Sequence, residues 1–155
     1  MIDILEVVKS QGMVSEITLD LIRRYTEVWN TSAYDALLDC HILSEKELAS
    51  AIARHLDVSR IVTVSHGEIE RQFGFDWLSY QRALEFKAIF VTPIGESITY
   101  LVIADPSIRG FVEFWNGLPF PCSLAIGEKS LILNWIDSFY PIQRQLPSLF
   151  DGSYK

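Results

Sequence analysis

Apolar positions change their rhythm along this chain. Up to Leu56 they recur every third or fourth residue, the period of helices with one buried face. Beyond Val58 they gather into short unbroken runs, the mark of buried strands set between helices. The first stretch, residues 1–57, has no proline and a single glycine, Gly12, so it reads as helices parted by brief breaks. Ile4, Leu5, Val7 and Val8 mark a first helix, closed by Gly12 as a left-handed cap. Ser15 caps a second, where Ile17, Leu19, Leu21, Ile22, Tyr25, Val28 and Trp29 supply a broad apolar face. Asn30-Thr31-Ser32 breaks it. Ser32, followed by Asp35, starts a third helix through Leu37, Leu38 and Cys40, and His41 stands where a chain turns left-handed. Ser44 with Glu47 is a capping box for a fourth, in which Leu48, Ile52 and Leu56 form one face. Ala49, Ala51 and Ala53 allow that helix close neighbours. Gly12-Met13-Val14-Ser15 faintly echoes His41-Ile42-Leu43-Ser44, twenty-nine residues later, without a sharp repeat.

In the second stretch, Ile61–Val64 reads as a first strand and His66–Phe73 as a helical turn. Asp76 caps a helix through Trp77, Tyr80, Ala83 and Leu84. Ala88–Val91 is a strand ending before Pro93, and Gly95-Glu96-Ser97 turns it into Ile98–Ile103. Asp105-Pro106 stops that strand, and Ser107 begins a helix that ends at Asn116-Gly117. Cys122–Ile126 is a last strand; Leu131, Ile132, Trp135, Ile136 and Phe139 make a final amphipathic helix, ended by Pro141. The order predicts an α+β fold. Residues 1–57 form a helical subdomain of hairpins. Residues 58–140 form a small, largely antiparallel sheet packed with helices on one side, in the same module. Residues 141–155 are a tail or linker remnant.

Composition narrows the function more than the fold. Apolar residues make up 49% of the 155, enough to build a core. The net charge is −7 with no stripe of Lys or Arg, which excludes nucleic acid and anionic membrane surfaces as expected partners. No apolar run approaches the roughly 20 residues of a membrane span. Asp3 and Glu6 occupy the place where a signal peptide is basic, so the cytoplasm is the expected compartment.

No catalytic constellation stands out, so the expected catalytic and metal-binding sets are both empty. Gly127-Glu128-Lys129-Ser130 lacks the glycines that let backbone amides wrap a phosphate, and reads as the turn into the last helix. Cys40-His41, His55, His66 and Cys122 have no ligand or nucleophile–base spacing. Asp105 is expected to accept backbone amides at the following helix start rather than to move protons. Four tryptophans, with Tyr25, Tyr34 and Tyr80, point to an aromatic surface patch, expected on the helical unit because short hairpins rarely bury both faces.

The stretch Leu37-Leu38-Asp39-Cys40-His41-Ile42-Leu43-Ser44-Glu45-Lys46-Glu47-Leu48, with Ala51-Ile52-Ala53 and Leu56, resembles the amino-terminal domain of type II secretion and type IV pilus assembly ATPases. The later order of a helix, a strand closing on Pro93, a hairpin, Ala104-Asp105-Pro106, a helix, Asn116-Gly117, a strand and a helix ending at Tyr140 is similar too, so the likeness covers about residues 33–140. The resemblance implies a non-enzymatic docking or regulatory domain. Its partner would be the cytoplasmic part of an inner-membrane assembly protein or a motor ATPase, which would recruit the chain to the inner membrane. Tyr34, Leu37, Leu38, His41, Leu48 and His55 are the expected partner- or ligand-binding residues. A subset of the family binds cyclic di-GMP through Arg-Leu-Gly before the leucine pair, a Gly in the loop and a Gln closing the second helix. Those slots hold Ser32-Ala33-Tyr34, His41 and His55 here. A missing guanidinium and an added side chain both weaken phosphate binding, so no cofactor is expected and a divergent cyclic di-GMP sensor is the alternative.

Overall fold

In the structure, a computed structural model that describes residues 2–62, 74–92 and 97–140, each of the first four helices begins on a side chain that takes up an orphan amide. These helices are α1 (Ile4–Ser10), α2 (Glu16–Trp29), α3 (Ala33–Asp39) and α4 (Glu45–Leu56). Asp3 accepts from the amide of Leu5 at 3.0 Å, Ser15 from Thr18 at 3.2 Å and Ser32 from Asp35 at 3.0 Å. Ser44 accepts from Glu47 at 3.1 Å, while Glu47 Oε1 accepts from the amide of Ser44 at 3.0 Å, completing the capping box. The bond holds the Glu47 carboxyl below its usual range.

The faint sequence echo is a structural repeat. The caps Asp3 and Ser32, the left-handed residues Gly12 (φ +69°) and His41 (φ +54°), and the caps Ser15 and Ser44 recur at the same twenty-nine-residue offset. The amides of Met13 and Ile42 each reach back five residues at 3.0 Å, to the carbonyls of Val8 and Leu37. Val8 and Leu37, like Leu19 and Leu48, are buried in equivalent places. The chain therefore begins with two like helical hairpins, tied together by Gln11 Nε2 donating to the carbonyl of Ala51 at 2.8 Å.

The rest comprises β1 (Ser59–Arg60), α5 (Gly74–Trp77), α6 (Tyr80–Phe86), β2 (Ala88–Val91), β3 (Tyr100–Ile103), α7 (Phe111–Asn116), β4 (Ser123–Ile126) and α8 (Lys129–Phe139). The α+β class holds, with a four-stranded sheet in the order β1-β4-β3-β2. The sheet is mixed rather than largely antiparallel. Only β2 with β3 is antiparallel; β3 with β4 and β1 with β4 are parallel. The reason is the crossover through α7, which carries the chain back to the starting end of β3 before β4 begins. Nor is the sheet covered on one side. All four residues of β2 are buried, which requires cover on both faces. On one face the ring of Phe90 meets that of Phe120 at 5.5 Å, and on the other Val102 and Ile132 both close on Gly127.

Other boundaries move for local reasons. Among the described residues the first strand is Ser59–Arg60, and Ile61 and Val62 of the expected Ile61–Val64 lie beyond it, because β4 pairs with it only as far as Ile126. The amide of Ile61 still donates to the carbonyl of Ile126 at 2.9 Å, and Val62 is exposed. Asp76 lies inside α5, and the cap of α6 is Ser79, which accepts from the amide of Arg82 at 3.2 Å. β3 starts at Tyr100, leaving Ile98 exposed. The helix expected from Ser107 starts at Phe111, since Gly110 is left-handed (φ +89°) and turns the chain just before it. Residues 63–73, 93–96 and 141–155, and with them the expected helical turn His66–Phe73, part of the expected turn Gly95-Glu96-Ser97 and Pro141, lie outside the described residues.

Candidate functional site

Tyr34, Leu37 and Leu48 are core residues, each 1% exposed or less, so their side chains support the hairpins from within and offer no outward contact. Leu38 and His41 behave differently. The left-handed turn at His41 ends α3 and swings the imidazole outward, while Leu43 folds back into the core. Leu38, His41 and Leu43 then line one side of a surface hollow of about 390 Å³, with Leu133 of α8 on the other side and Glu45, Lys129 and Ser130 around it. His55 lies elsewhere. It borders a second hollow of about 380 Å³ with Leu56, Phe111, Trp115 and Leu124. The six expected residues thus fall into three places: a shared hollow, a separate one and the core.

Polar bonds across the first hollow join the amino-terminal hairpins to α8. Glu45 Oε1 accepts from the amide of Ser130 at 2.6 Å, and Glu45 Oε2 accepts from the Ser130 hydroxyl at 2.6 Å. Lys129 Nζ pairs with Asp35 Oδ1 at 2.8 Å. A carboxylate on the first amides of a helix complements both the unpaired N–H groups and the positive end of the helix dipole. The Gly127-Glu128-Lys129-Ser130 turn therefore does hold an anion, and it is the chain's own Glu45. Gly127 is needed there for another reason. A Cβ on it would stand 2.9 Å from Val102 Cγ1 and 3.1 Å from Ile132 Cδ1.

Sequence reasoning did not single out Asp35, Glu45, Lys129 as a cation, or Leu133. Their partners lie 85 to 94 residues away, and nothing in a local pattern announces such a meeting.

The hydroxyl of Tyr34 is buried with no hydrogen-bond partner among the described residues. Burial pushes its pKa up, followed by the negative charges of Glu45 and Asp105. An orphaned buried hydroxyl costs about 1–3 kcal/mol. Tyr34→Phe is therefore expected to raise stability by about 1 kcal/mol in urea unfolding, and a loss of stability would mean that the hydroxyl is partnered.

Among the described residues Asp105 is the one buried acid. Burial raises its pKa, against the lowering effect of Ser107, whose amide and hydroxyl both donate to Oδ1. The carboxyl shapes the turn after β3: the amide it accepts from is that of Ser107, the helix start expected from sequence, four residues before the observed start at Phe111. Cys122 is half-buried and burial pushes its thiol up, which disfavours the nucleophilic thiolate. Among the described residues no group of three or more His, Cys, Asp or Glu side chains could hold a metal ion, and no helix is long and apolar enough to cross a membrane. His66 lies outside them.

No family model matches the chain, and no curated protein matches its sequence. Solved structures do match its shape. The structure of MshE with cdg is similar at a TM-score of 0.67 and 19% identity, over 90% of this chain and 100% of that one. The N-terminal domain of XpsE is similar at a TM-score of 0.55 and 19% identity, over 88% of this chain and 94% of that one. At these identities the likeness shows the fold. That fold is the one implied by the resemblance to amino-terminal domains of secretion and pilus ATPases.

Proposed function

We propose that this chain is a non-enzymatic docking and regulatory domain of a secretion or pilus assembly system. It binds a partner protein, the cytoplasmic part of an inner-membrane assembly component or a motor ATPase, and acts in the cytoplasm at the inner membrane. The observation that carries this reading is the fold shared with the N-terminal domain of XpsE over most of both chains. The hollow between the α3–α4 turn and α8 is the proposed contact. It offers an apolar floor of Leu38, Leu43 and Leu133 with His41 and Lys129 at its edge. Small apolar pockets rimmed by polar groups are where interface hot spots concentrate.

The test is titration of the chain with the cytoplasmic segment of the assembly protein from its own system. His41→Asp combined with Leu133→Asp is expected to weaken binding by about 2 kcal/mol, roughly thirtyfold. Aspartate tolerates the left-handed backbone at residue 41, so the turn survives. Binding that ignores both changes, or none by the unaltered chain, would remove the proposal.

The alternative is a divergent cyclic di-GMP sensor, a reading favoured by the likeness to MshE determined with cdg. Against it, Ser32 replaces a phosphate-pairing arginine, Tyr34 is buried, and Lys129 is already held by Asp35. Calorimetry with the nucleotide separates the two. Micromolar binding lost in His41→Asp would favour the sensor.

A further inference from the structure

We draw no further inference here: the strongest candidate, the outward apolar row of Ile17, Leu21 and Val28 along α2, has nothing in the structure to show what covers it, since its flanking acids Glu16 and Asp20 are paired with Lys9 and Arg23 of the same chain.

Discussion

Replacing Leu48 with alanine is expected to lower the unfolding free energy by about 3–4 kcal/mol. Leu48 is fully buried on the inner face of α4, in the same cluster as Leu37 and Ile52. Truncation removes its methyl groups from a close-packed site, and the alanines already on α4 leave little side chain able to move into the gap. A domain of this kind holds only about 5–15 kcal/mol in reserve, so the loss is a large fraction of the whole. The measurement is urea unfolding, with the midpoint falling and the slope unchanged. The same experiment decides what Leu48 is for. Loss of partner affinity in Leu48→Ala with unchanged stability would place it on a surface, against its burial.

Gly127→Ala is expected to cost about 2 kcal/mol, from overpacking alone. The added methyl would sit 2.9 Å from Val102 Cγ1 and 3.1 Å from Ile132 Cδ1, both side chains fully buried. Valine on a strand has little rotamer freedom to yield. The strain would push α8 away from β3 and disturb the amide of Ser130 that Glu45 holds. Shaving the contact with Val102→Ala in the same chain should recover part of the loss, because the two positions share one space. A Gly127→Ala protein as stable as the parent would mean that α8 packs more loosely than described.

The helical half was legible because its signals are local. Ser15, Ser32 and Ser44 cap helices through amides three residues on, and Gly12 and His41 turn the chain by backbone conformation alone. The sheet was less legible. Ala88–Val91 was readable as a strand, but its neighbour's direction depends on how α7 returns the chain, which no four-residue run encodes. Among the described residues β1 falls at Ser59–Arg60, before the apolar run that suggested it, because that is where β4 pairs with it.

The candidate site divides in the same way. His41 and Leu38 line the surface hollow. Tyr34, Leu37 and Leu48 were expected as contact residues from the family resemblance, while their helical spacing describes a core face. Which face is buried depends on what packs against it.

What the sequence determined by itself, then, is the class of structure and the hairpin caps, since the helix and strand signals and the caps depend on contacts within a few residues. Only the tertiary structure decided that Glu45 reaches Ser130, that Lys129 meets Asp35, that the sheet is mixed and that α2 keeps an apolar row outside. Those are meetings between distant segments. Their free energy depends on close packing and on geometry across the whole chain, which a local pattern does not contain.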